Sequence, residues 1–138
     1  MTFARQGSTG QRGKPGNSAA VFVAGRQTWD QTSPVAIGVR PINPSAYVTK
    51  NRTITLYAWL EVTAGCTANL ELYNVTDSVS VHTFTSTSST GEMKSQVLTV
   101  PTNLPNSSKV YALRLSRSGG NSGDTVACKS AYVEITYS

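Results

Sequence analysis

A chain of 138 residues and 14.7 kDa has room for one domain with a core of its own and none for a second. Hydrophobic residues make up 38% and charged residues 14%, and no apolar run approaches the roughly 18 residues of a membrane helix, so no membrane partner is expected. The net charge of +5 is unevenly placed. Residues 1 to 52 hold seven basic side chains against Asp30 alone, a balance of +6, and residues 53 to 138 hold five basic and six acidic ones, a balance of −1. A nucleic-acid partner is not expected, because no Lys/Arg cluster is interleaved with aromatics and the patterned body is not basic.

The opening Met1-Thr2-Phe3-Ala4-Arg5-Gln6-Gly7 lacks the apolar stretch of a secretory signal. Gly7, Gly10, Gly13 and Gly16 then stand three apart. That is the register of a collagen strand, in which only glycine fits where three chains meet, and it predicts a trimer. Four triplets are too few to hold a triple helix unaided, so the alternative is a flexible linker. With Arg5, Arg12, Lys14 and Arg26 and no acid before Asp30, residues 1–18 read as a basic arm. Such an arm suits either an anchor on an acidic partner surface or a solvated leader.

Residues 19–52 read as a transitional segment. Ala19–Val23 and Val35–Val39 suggest short strands, separated by a polar turn around Trp29 and Asp30 and ended by Pro41, Asn43 and Pro44. They are too few for a sheet of their own and suit edge strands or a strap over a neighbouring subunit. From residue 53 to 138 a period of two is plain. Ile54, Leu56, Ala58, Leu60 and Val62 fall on one face of a strand and Thr, Tyr, Trp and Glu on the other. Further strands are expected at Ala68–Val75, Val79–Thr85, Ser95–Val100, Lys109–Ser116 and Thr125–Tyr137. Ser and Thr number 35, which with the Val- and Tyr-rich segments favours strands over helices. The expected fold is all-β, an antiparallel sandwich of jelly-roll type carrying an extended Gly-rich arm.

Residues suited to catalysis are sparse. The sole histidine, His82, has no nucleophile signature near it, and alternation puts it opposite Val79 and Val81 as a solvent-facing strand residue. No catalytic residue, metal site or cofactor is expected. Cys66 and Cys128 fit one disulfide bridge or two separate buried thiols. Gly119–Asp124 has oxygen ligands but no alternating carboxylates, and reads as a hairpin loop. Tyr57, Trp59 and Tyr73 lie opposite the aliphatic set of their strands. They suit a platform for stacking glycans or a second face packed on a neighbour.

Three segments carry a family likeness: Leu70-Glu71-Leu72-Tyr73-Asn74-Val75-Thr76-Asp77, Lys109-Val110-Tyr111-Ala112-Leu113-Arg114-Leu115-Ser116 with Gly119-Gly120, and Cys128-Lys129-Ser130-Ala131-Tyr132-Val133-Glu134-Ile135. Over residues 53–138 the chain resembles the β-sandwich domains of tailed-bacteriophage virion proteins. Such domains occur in head fibres, capsid decoration proteins and tail-fibre tips, commonly as trimers, and none of the matching residues is catalytic in them. The resemblance implies a non-enzymatic virion-surface protein, assembled in the host cytoplasm. It would form a homotrimer bound to the major capsid protein or another virion protein through its N-terminal arm. The other function it allows is a tail-fibre module that binds host surface glycans.

Overall fold

The computed structural model describes residues 17–25, 27–47, 52–63 and 65–137. Strands were expected wherever apolar and polar side chains alternate, and nine are formed among the described residues. They are β1 (Asn17–Ala24), β2 (Gln27–Trp29), β3 (Val35–Ile42), β4 (Thr53–Val62), β5 (Cys66–Asn74), β6 (Val79–Ser86), β7 (Glu92–Leu98), β8 (Lys109–Gly119) and β9 (Val126–Tyr137). Alternation is cleanest in β4 and β5, where every second side chain from Ile54 to Val62 and from Cys66 to Asn74 is buried. Such a strand has one face on a core and one turned outward.

The strands pair from the chain ends inward. β1 pairs with β9, β3 with β8, β4 with β7 and β5 with β6, all antiparallel. Rolling this long nested hairpin sets β4 beside β9 and β5 beside β8. Two sheets result, ordered β1-β9-β4-β7, with β2 also on β9, and β3-β8-β5-β6. This is the jelly-roll connection, and the all-β sandwich read from the sequence is the fold observed. Between the sheets lie Leu56 and Leu60 from β4, Leu70 and Leu72 from β5, Leu113 and Leu115 from β8, and Val133 and Ile135 from β9, all inaccessible to solvent.

Residues 19–52 contribute to β1, β2 and β3, one or two strands to each sheet, so the sandwich reaches back at least to Asn17. Phe22, Ala24 and Ile42 belong to the buried core. Phe22 sits where both edge strands carry a register shift, between Ala20 and Phe22 and between Ala36 and Gly38. A Cβ on Gly38 would lie 2.8 Å from the Phe22 ring, so the glycine makes room for the side chain that closes this edge. β3 runs through Pro41, which an edge strand tolerates because its missing N–H can face away from the ladder.

The segment Asn74-Val75-Thr76-Asp77 forms the β5–β6 turn. Asn74 Oδ1 accepts from the Asp77 backbone N–H at 3.0 Å, and its Nδ2 donates to Asp77 Oδ2 at 3.0 Å. Asp77 in turn pairs with Lys109 at 3.2 Å, and Thr76 Oγ1 accepts from the Val110 N–H at 2.9 Å. A buried polar residue, Asn74, is thereby satisfied at the strand end.

The part played by Phe22, Ala24 and Ile42 predicts the outcome of truncation. A chain beginning at Asn17 keeps the circular-dichroism spectrum and cooperative melting of the whole protein. One beginning at Arg52 loses both, because it exposes one edge each of β8 and β9 and removes three core side chains. A cooperative, native-like melt from the shorter chain contradicts this.

Candidate interaction surfaces

Side chains that point away from the core form two outer faces of different chemistry. On the β1-β9-β4-β7 sheet, Tyr57 lies directly across from Tyr132, and their rings stack at 4.8 Å and 23°. The next outward residue of β4, Trp59, is paired with Met93, and Thr55 is paired with Val97. Met93 and Val97 are 49% and 54% exposed, so an aromatic row flanked by open aliphatic side chains runs across this sheet. Gly91, at φ +92°, caps it: a Cβ there would lie 2.7 Å from the Trp59 indole. The indole Nε1 is shielded from solvent without a hydrogen-bond partner.

The outer face of the β3-β8-β5-β6 sheet is organised by charge. Arg114 reaches back along β8 so that its guanidinium carbon lies 3.8 Å over the Tyr73 ring, while its Nε donates to Glu71 Oε1 at 2.9 Å. Val39 and Val110 are open near the β3 edge.

These positions correct the expected aromatic platform. Tyr57 and Trp59 share one sheet and Tyr73 belongs to the other, so the three do not converge. Alternation places a side chain inside or outside its own strand's sheet but does not say which sheet the strand joins. In addition, Trp59 is covered by Gly91 and Tyr73 by Arg114.

Of the two readings open for Cys66 and Cys128, separate thiols hold and the bridge does not, since both are free and buried. Cys66 Sγ donates to Thr63 O at 3.2 Å and Cys128 Sγ to Ser130 O at 3.4 Å. Each thiol thus has its own backbone acceptor. Burial pushes the Cys128 thiol up to about 11.

His82 is not solvent-facing. A register shift between Leu72 and Tyr73 resets the alternation of β6, so His82 pairs with Leu72 in phase with the buried Phe84. The two rings meet edge to face at 4.9 Å, and desolvation lowers the imidazole pKa. None of the side-chain hydrogen bonds among the described residues involves it.

Among the described residues no group of three His, Cys, Asp or Glu side chains could hold a metal ion. The loop after β8 is not the expected hairpin: β8 and β9 belong to different sheets, so it crosses from one to the other, and in it Asp124 Oδ2 accepts from the Asn121 N–H at 2.7 Å. Arg5, Arg12, Lys14 and Arg26 and the glycines Gly7, Gly10, Gly13 and Gly16 lie outside the described residues. Tyr132 as the partner of Tyr57 was not legible in the sequence; cross-strand register is the information needed.

No protein-family model matches the chain, and no curated protein matches its sequence. Among solved structures, it is similar to a chain of infectious bursal disease virus, Gx strain, at TM-score 0.54 and 11% identity, covering 88% of this chain and 31% of that one. It is similarly close to the VP2 subviral particle of that virus, at TM-score 0.52 and 16% identity, covering 87% and 31%. The chain spans about a third of the length of these relatives. At such identities the likeness is one of fold alone, a β-sandwich. A carbohydrate-binding module in complex with calcium and xylotriose aligns at TM-score 0.44 and 10% identity, too loosely to bear on this chain.

The core itself holds two acids with raised pKa values, Cys128 at about 11 and Tyr111 at about 12. Burial raises Tyr111 first and the nearby Asp77 carboxylate second, and its hydroxyl has no hydrogen-bond partner. An unfolded chain releases these protons nearer to about pH 8.5 and about pH 10. Above those values the folded chain therefore holds more protons, and stability falls as pH rises toward the native values. The urea midpoint should be lower at about pH 10.5 than at about pH 8, with a shallower drop in Tyr111→Phe. At neutral pH that variant should be as stable as the parent or more so, by up to about 1 kcal/mol, since it removes an unpaired buried hydroxyl. A midpoint independent of pH over this range contradicts the prediction.

Proposed function

We propose that the protein is a non-enzymatic structural subunit of a tailed-phage virion, a trimer that decorates or projects from the capsid. The observation that carries this reading is the outer face of the β1-β9-β4-β7 sheet. An antiparallel sheet with one face in water normally presents polar side chains there. Beside Thr55, Ser95 and Glu134 this one presents the Tyr57–Tyr132 stack, Met93 and Val97, the kinds of side chain found in the core of a protein interface. The jelly roll shared with infectious bursal disease virus VP2 supports the reading, as does the sequence likeness over residues 53–138.

In this reading Arg5, Arg12, Lys14 and Arg26 seat the subunit on the major capsid protein or another virion protein, and the sandwich faces outward on the virion surface. The glycine register at 7, 10, 13 and 16 holds three chains together at the base. Closed threefold symmetry lets one sequence supply every contact, and three arms multiply weak ionic contacts through effective concentration.

Two outcomes test it. Light scattering of the purified protein at micromolar concentration should give the mass of three chains. Met93→Lys with Val97→Lys should shift that mass toward one chain without loss of the β spectrum, because both side chains are open in the isolated subunit. A monomeric parent, or a double variant that stays trimeric, contradicts the role of this face. Attachment to particles should weaken with salt, whose screening length is about 10 Å at 0.1 M. Replacing Arg5, Arg12 and Lys14 by Ser should release the subunit in the wash, whereas equal occupancy would overturn the anchor.

A further inference from the structure

The β5–β6 turn and the start of β8 bring an asparagine, an aspartate and a lysine together at one end of the β3-β8-β5-β6 sheet. Asn74 is the last residue of β5 and pairs with Tyr111 of β8. Lys109 begins β8 two residues before Tyr111 and shares its phase, so it is the diagonal neighbour of Asn74 on the same side of the sheet. A long side chain spans that diagonal. Asn74 is 1% exposed and Tyr111 beside it is inaccessible, whereas the Lys109 and Asp77 side chains are 25% and 37% exposed. The cluster therefore runs from the core to the surface.

Asp77 touches the three atoms that an acyl transfer between Asn74 and Lys109 puts to use. Its Oδ1 accepts from Lys109 Nζ at 3.2 Å, and its Oδ2 accepts from Asn74 Nδ2 at 3.0 Å. One carboxylate thus stands between a nucleophile that must lose protons and a leaving group that must gain them. The Asp77 backbone N–H donates to Asn74 Oδ1 at 3.0 Å, the oxygen on which negative charge develops when the carboxamide carbon is attacked. Capping the turn needs only this last contact, and a surface ion pair needs only Lys109 against Asp77. A carboxylate that bridges both nitrogens is required by neither.

We propose that Lys109 and Asn74 join in an intramolecular isopeptide bond, with Asp77 as the proton carrier. Lys109 Nζ attacks Asn74 Cγ; the Nζ–Cγ bond forms and the Cγ–Nδ2 bond breaks. Of the three protons on the Lys109 ammonium, Nζ keeps one in the new amide. The other two pass by way of the Asp77 carboxylate to Nδ2, which leaves as ammonium, and Asp77 ends as it began. The bond ties the end of β5 to the start of β8 and closes a loop that contains β6 and β7.

Intact-mass spectrometry of the purified full chain reads the bond directly, after several days at about pH 9 to favour the neutral amine. The mass should lie one ammonia below that of the sequence, and a digest should contain a peptide in which Lys109 is joined to Asn74. Lys109→Arg keeps a cation against Asp77 but has no amine to acylate. It should hold the full sequence mass with the parent's circular-dichroism spectrum. Asp77→Asn, which removes the proton carrier, should hold the full mass as well. A parent at the full sequence mass overturns the proposal. So does a loss of ammonia that persists in Lys109→Arg, which places it in an asparagine succinimide, and undiminished cross-linking in Asp77→Asn overturns the role of the carboxylate.

Discussion

Strand β9 is the member on which the rest of the sandwich depends. It is hydrogen-bonded along one side to β1 and β2 and along the other to β4, so the end of the chain joins its beginning to its middle. Asn17 pairs with Tyr137 and Val62 with Val126, contacts that close long loops before either sheet can exist. Such non-local pairing makes formation slow and strongly cooperative. The same strand shapes two surfaces. Its regular half places Tyr132 against Tyr57, and the register shift beside Leu60 leaves Lys129 free to reach Glu61.

The two outer faces differ in chemistry. One is aromatic and aliphatic, with its largest ring shielded by the Gly91 turn, and suits burial against another protein surface. The other carries Arg114 between Tyr73 and Glu71, an ion pair that keeps its charge near water and contributes little to stability. A sandwich so built has an apolar patch on one side and a charged, hydrated face on the other.

Much of the architecture was legible because β4 and β5 follow period-two alternation almost without fault. The edge strands were harder to read for a physical reason. Register shifts at Ala20–Phe22, Ala36–Gly38 and Leu72–Tyr73 break the alternation where side chains are re-aimed, which hid the core role of Phe22 and misplaced His82. The short β2 read as a turn because three residues around Trp29 carry no period. Surface composition escaped for another reason: the sequence shows that Tyr57 and Tyr73 point away from a core, but only the pairing of β4 with β9 and of β5 with β8 shows that they point in opposite directions. Free Cys66 and Cys128 were one of two open readings, and the backbone oxygens that satisfy each thiol are contacts without a sequence pattern.

The central claim is that this jelly roll is an assembly subunit of a virion head. The most direct measurement is its location on purified particles, by antibody labelling of intact phage and of empty, tail-free heads. The account predicts label on both, arranged over the head surface. Label confined to tail tips, or its absence from tail-free heads, would contradict it.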